Sequence, residues 1–143
     1  MTTVGLFTWT FYLAVPFWAL MILAPTWSVT RRAVASPWVT LIPLVVYFAL
    51  AIPRFGELWT VVSTPNLAAL QAFLGQPYGA ATIWAHLIAF DLFIGRWMYL
   101  EARARGIHPL IVSPILFLTI FLSPLGLVAF LVVRSLRIRS AHE

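Results

Sequence analysis

Between Val4 and Ala24 the chain runs for 21 residues without a charged side chain. At 1.5 Å per residue this makes a helix of about 31 Å, enough to cross a hydrocarbon core of about 30 Å. A segment of that length and polarity commits the chain to a bilayer, and composition agrees. Of 143 residues, 62% are hydrophobic and 9% are charged, with a mean hydropathy of +0.97; soluble domains carry about a quarter charged residues. A 16.1 kDa chain of this kind has room for a few spans and for no separate catalytic domain. The opening Met1-Thr2-Thr3-Val4 lacks the basic region and cleavage site of a signal peptide, so the first run is expected to be retained as a membrane helix.

Three further apolar runs follow. Residues 37–52 form a second run of 16 residues, with Pro43 inside it, which predicts a short or irregular span. A third covers 79–100 and a fourth 109–133, where Pro114, Pro124 and Gly126 are kink points. In the longer connection before the third span, Thr64 reads as an N-cap with Pro65 at the first helical position, and Gly75 as the end of a helix over 65–74. Its Leu67, Leu70, Phe73 and Leu74 against Asn66 and Gln71 suit a helix lying on the membrane surface. Gly75-Gln-Pro-Tyr-Gly79 has the spacing of a helix-packing motif but contains Pro and falls in a turn, so it is set aside as a packing signal. The expected architecture is therefore all-α, one transmembrane domain over 1–143, with four spanning helices and a short interfacial helix in the 2–3 connection.

All nine basic residues are Arg, and the net charge is +5. Nine among 143 is a sparse supply for tracking phosphates, so no nucleic acid is expected as a partner. The arginines bear instead on topology and on contact with membrane lipid. With four spans, Arg31, Arg32, Arg103 and Arg105 fall on one side and Arg54, Arg134, Arg137 and Arg139 on the other, a tie that leaves orientation open. The absence of Cys excludes disulfides, thiol nucleophiles, iron–sulfur clusters and zinc fingers. Phosphate-loop, Rossmann, nucleophile-elbow and His-Glu-x-x-His patterns are also missing.

The polar residues that matter lie inside the third span. Asp91 is near its middle, where a carboxylate costs about 2.5–3.5 kcal/mol on insertion scales. Such a residue needs a partner or a function. His86 and Asp91 are about 140° apart around a helix, and His86 and Arg96 about 80° apart but roughly 15 Å apart along it. Each group is therefore expected to find partners on other helices, among Thr8, Tyr12, Tyr47, Thr119 and Ser123. The weaker polar positions are Arg54 with Glu57, expected to be solvated, and Glu101, Arg103, Arg105 and His108, expected to form an exposed loop.

The string Val15-Pro-Phe-Trp-Ala-Leu-Met-Ile-Leu-Ala-Pro25, followed by Val29-Thr-Arg-Arg32, resembles the abscisic-acid-deficient-four family of neoxanthin synthase-like membrane proteins. Trp84-Ala-His86-Leu-Ile-Ala-Phe-Asp91-Leu-Phe93 is similar to that family's Trp-x-His-x-x-x-x-Asp-Leu-Phe signature, and Ser123-Pro-Leu-Gly-Leu127 to its Pro-x-Gly segment. The resemblance extends over nearly the whole chain, in order. It implies a small four-span protein of carotenoid metabolism, here a bacterial member in the cytoplasmic membrane; the plant reaction, violaxanthin to neoxanthin, is not carried over.

Two functional readings remain open at this level, and with them the question of whether the protein is an enzyme. In the first it isomerises a carotenoid-like substrate without a cofactor: opening an epoxide to an allenic alcohol needs an acid and a base, for which Asp91 and His86 are the catalytic candidates. Trp84, Arg96, Trp97 and Tyr12 are then the ligand-binding candidates. In the second it is a non-enzymatic accessory subunit of a photosynthetic or energy-transducing membrane complex that binds carotenoid or (bacterio)chlorophyll. His86 would be the axial ligand of a chlorophyll or haem, with Trp84 and Trp97 on the macrocycle.

Overall fold

The first uncharged run folds as α1 (Thr3–Leu23), which continues through Pro16. In this computed structural model, which describes residues 2–64 and 66–140 and the side chains of 2–64 and 66–136, every regular element is helical. Along α1, Thr10, Ala14, Trp18 and Met21 are buried, a spacing of three and four that places them on one stripe. After α1 come α2 (Ser28–Ala35), a 3-10 turn (Pro37–Thr40), α3 (Leu41–Ala51), a second 3-10 turn (Ile52–Arg54), α4 (Phe55–Ser63), α5 (Leu67–Leu74), α6 (Pro77–Ala104), α7 (Pro109–Phe121) and α8 (Ser123–Ser140). Three helical segments, Thr3–Leu23, Pro37–Ser63 and Pro77–Ala104, are long and apolar enough to cross a membrane.

The second run extends beyond its expected end at residue 52, through α4 to Ser63. The reason is where its prolines sit. Pro43 is in the first turn of α3, where N–H groups have no intrahelical acceptor, and Pro53 is taken up by a 3-10 turn through which α3 continues into α4. The helix expected over 65–74 is α5, and its cap is Asn66 rather than Thr64: the Asn66 Oδ1 accepts from the Ala69 N–H at 3.2 Å. Pro65 lies outside the described residues. Gly75 closes α5 as expected, its N–H bonded to the Gln71 carbonyl at 2.9 Å.

The chain divides into two compact units, the first made of Met1–Ala14 with Thr40–Ala89 and the second of Val15–Val39 with Phe90–Glu143. In the first, Val46 and Leu50 of α3, Leu58 of α4, Phe73 of α5 and Ala81 and Ala85 of α6 form the buried core. Gly79 does carry a packing role, contrary to the expectation for its turn. The Phe73 carbonyl lies where a Cβ at position 79 would stand, so only glycine lets α5 and the start of α6 approach this closely.

In the second unit, the Thr30 hydroxyl donates to the Ala24 carbonyl at 2.7 Å, and the Tyr99 hydroxyl to the Pro25 carbonyl at 2.8 Å. These bonds tie α2 and the end of α6 to the end of α1. The Trp18 ring fills the space that a side chain on Gly95 would need. Helix α6 ends after Ala104 in a Schellman turn: Gly106 has φ 63°, and the Ile107 N–H returns to the Ala102 carbonyl at 2.9 Å. Glu101 and Arg103 are thus part of the helix rather than of an exposed loop, and His108 caps α7, its Nδ1 accepting from the Leu110 N–H at 3.3 Å.

The fourth run does not form one helix over 109–133. It breaks at Leu122 (φ −137°, ψ 66°), and α7 and α8 pack against each other. Gly126 lies directly on Thr119 of α7. The sense of the pair follows from its neighbours. Ala102 lines a small cavity with Val112 and Ser113 at the start of α7, while the adjacent Glu101 holds Arg134 of α8 at 2.8 Å. A continuous helix would separate Ser113 from Arg134 by about 32 Å. The chain therefore turns back at Leu122 as a helical hairpin, with α8 running parallel to α6. Helix α7, at 13 residues, spans about 20 Å, short of a hydrocarbon core of about 30 Å.

Candidate functional site

Helix α6 carries His86, Asp91 and Arg96, with Trp84 and Trp97. Its buried face is the stripe Ala81, Ala85, Ile88, Ala89, Leu92, Tyr99 and Ala102, whereas Leu87, Phe90 and Phe93 are exposed on the opposite side. His86 and Asp91 are half-buried and fall on opposite flanks of that stripe. From the helical rise and a side-chain radius of about 6 Å, their functional groups are on the order of 13 Å apart. They do not meet at one atom of a ligand.

In the first unit the His86 ring stands 5.8 Å from the Tyr47 ring, tilted by 59°. Tyr47, one of the expected partners, thus stands beside His86. Trp84 stacks on Phe7 at 5.1 Å, and its Nε1 is buried with no hydrogen-bond partner among the described residues. Tyr12 contacts Trp9 and Phe11 edge-on and is 60% exposed, on the outer side of α1. Thr8 spends its hydroxyl on the Val4 carbonyl of its own helix.

In the second unit Arg96 is fully engaged. Its Nε donates to the Val34 carbonyl at 2.6 Å and its Nη2 to the Ala35 carbonyl. It closes the C-terminal end of α2, whose last carbonyls have no partner within the helix. Trp97 meets Phe130 edge-on at 5.5 Å, with the Arg134 guanidinium 5.9 Å above its ring. Thr119 donates to Ile115 within α7.

Asp91 shares this unit with the hairpin. Trp97 pairs with Phe130 and Glu101 with Arg134, a constant offset of 33 between two parallel helices. The same register sets Asp91 level with Pro124, at the turn of the hairpin. The Ser123 hydroxyl there is buried with no hydrogen-bond partner among the described residues. Residues at this depth sit at the N-terminal, electropositive end of α8. Interrupted backbone inside a membrane is tolerated where it is buried in protein or lines a water-filled cavity. The turn leaves little backbone unsatisfied: the Leu122 N–H bonds Leu118 at 2.8 Å, the Gly126 N–H bonds Leu122 at 3.0 Å, and Pro124 has no N–H.

The family profile described as ABA DEFICIENT 4-like matches residues 5–130. The chain belongs to this family. No curated protein and no solved structure matches the chain. The match takes in α1 from Gly5 onward, the residues of α6 from Trp84 to Trp97 and the hairpin turn, so this ABA DEFICIENT 4-like protein carries its polar α6 residues within the shared part of the family. With three helices of spanning length and composition, it is a membrane protein.

Trp84 stacks on Phe7, and Trp97, about 16 Å from His86 along the helix, contacts Phe130 and Arg134. Among the described residues no three of His, Cys, Asp and Glu converge as a multidentate metal site would require. The level shared by Asp91 and Ser123 had no signal in the sequence beyond the Ser-Pro step at 123–124, because it depends on the chain turning back.

Proposed function

We propose that this ABA DEFICIENT 4-like protein isomerises a carotenoid-like polyene inside the bilayer, with Asp91 as the proton-handling group. The observation that carries this reading is the placement of Asp91, at mid-helix in α6 and at the level of a hairpin turn whose Ser123 hydroxyl has no hydrogen-bond partner among the described residues. One carboxyl group is sufficient for the chemistry. Its O–H protonates an epoxide oxygen as the C–O bond breaks, its carbonyl oxygen takes a proton from the adjacent polyene carbon, and the acid is regenerated with an allenic alcohol as product. Atoms and electrons balance, and no cofactor takes part. His86, on the other flank beside Tyr47, then contributes a polar contact to bound ligand rather than the base.

The test is Asp91→Asn beside His86→Ala in a carotenoid-producing host, with xanthophyll isomers resolved from membrane extracts. Asp91→Asn is expected to abolish product and His86→Ala to reduce it. Unchanged product formation in Asp91→Asn, at wild-type protein level in the membrane, overturns the assignment. The accessory-subunit reading, with carotenoid or (bacterio)chlorophyll held without turnover, has less support because Trp84 and Trp97 are committed elsewhere. A bound pigment in purified protein that is lost in His86→Ala would favour it.

In the membrane, we infer three spans (α1, 37–63 and α6), a re-entrant hairpin from α7 and α8, and α5 at the surface. Leu67, Leu70 and Leu74 of α5 are exposed, as a helix half-immersed in the interface requires. The hairpin returns the C-terminal arginines to the end of α6 that bears Arg103 and Arg105. Arg31, Arg32, Arg103, Arg105, Arg134, Arg137 and Arg139 then share one side. On the other side stands Arg54, over the ring of Tyr78 at the start of α6, 4.6 Å away. Seven against one, in place of a tie, puts the arginine-rich end in the cytoplasm.

A further inference from the structure

At the arginine-rich end of the second unit, a cavity of about 110 Å³ opens between the start of α2 and the end of α6, lined by Arg31, Arg103, Ser28, Trp27 and Tyr99 among others. We propose that this cleft binds the phosphate group of an anionic membrane lipid.

Three observations converge on that ligand. The first is uncompensated charge. Glu57 pairs with Arg54, and Glu101 is shared by Arg105 and Arg134; Arg31 and Arg103 have no ion pair among the described residues. Asp91 is twelve residues, about 18 Å, from Arg103 along α6. Two guanidinium groups facing one cleft repel each other until an anion enters, and each presents the planar fork that matches a phosphate.

The second is the rest of the lining. No carboxylate borders the cavity. The Tyr99 hydroxyl already donates to the Pro25 carbonyl at 2.8 Å, which fixes the wall, while the Ser28 hydroxyl at the start of α2 supplies a further donor. Helix α2 is pinned by the buried Thr30 and Val34 on its inner face, and Arg31 and Arg32 are exposed on its outer one. The arginines are therefore held by a fixed helix rather than by a loop.

The third is depth. The cavity lies just past the C-terminal end of α1 and at the last turns of α6, where two spans leave the hydrocarbon. Trp27 at its rim is 55% exposed, the placement of an aromatic in the headgroup belt. A phosphate reaching this cleft from a lipid keeps its acyl chains alongside the apolar helices, whereas a free phosphate gains nothing from that neighbourhood.

The experiment uses the full chain in detergent, with lipid retention read by native mass spectrometry in mixtures of phosphatidylglycerol and phosphatidylcholine. Wild type is expected to retain phosphatidylglycerol about tenfold over phosphatidylcholine, and Arg31→Gln/Arg103→Gln to lose that preference. Arg31→Lys/Arg103→Lys, which keeps the charges and loses the fork, should fall between. A charge-matched control, Arg32→Gln/Arg137→Gln, is expected to stay within about twofold of wild type. Equal retention of the two lipids by wild type, or equal loss in the control, overturns the proposal. Millimolar inorganic phosphate that displaces the lipid and binds as tightly alone would assign the cleft to a soluble phosphate and overturn the lipid assignment.

Discussion

Arg96 shows how a charged residue inside an apolar helix is accommodated without a counter-ion of its own size. Its guanidinium bridges two carbonyls at the end of α2, one of them at 2.6 Å, so the charge is spread over backbone dipoles. A hydrogen bond to a charged group contributes about 1.5–3 kcal/mol. Arg96→Met should therefore loosen α2 while leaving α6 helical, and trypsin should cut after Arg31 and Arg32 faster than in wild type. A digestion rate unchanged by the substitution would contradict this role. His86 and Asp91 sit on the two flanks of α6 and, like Arg96, are half-buried. Their positions were legible in the sequence, since a single continuous helix sets the angle between any two of its residues. Their partners were not, because Tyr47 is 39 residues from His86 and nothing local links them.

Among the elements, the hairpin departs furthest from the sequence pattern. Residues 109–133 carry the apolar length of a span, and their Pro and Gly residues are as consistent with a kink as with a turn. What selects the turn is the fit of Gly126 on Thr119 and the hold of Glu101 on Arg134. Gly126→Ala inserts a methyl group against the Thr119 backbone and is expected to lower stability by about 1–3 kcal/mol. Gly56→Ala, in a helix where nothing lies within 4 Å of the new methyl, should be neutral or stabilising by about 0.4–1 kcal/mol. Thermal unfolding of the two variants in the same detergent separates the effects; equal shifts would remove the close approach at Gly126 as a cause. The second span illustrates the opposite case. Pro43 predicted a short or irregular span, yet it lies in the first turn of α3 and the helical segment continues to Ser63.

For the whole molecule, the proposed re-entrant hairpin sets which side of the membrane the C-terminal helix is expected to end on. The chain has no Cys, so single cysteines introduced at Thr2, Ala104 and Ser140 report sidedness directly. Positions 104 and 140 are expected to react with an impermeant maleimide from the same, cytoplasmic side, and position 2 from the other. Labelling of 104 and 140 from opposite sides would restore four full spans. Composition and the apolar runs were enough, by themselves, to establish a helical membrane protein and to single out α6, because helix hydrogen bonds and the cost of inserting a side chain into hydrocarbon are local quantities summed over a window of about 20 residues. They could not decide the fate of the last run or the side of its arginines. Those depend on contacts such as Ser113 with Ile22, 91 residues apart, and Arg134 with Glu101, 33 apart, which come into being only when the helices pack.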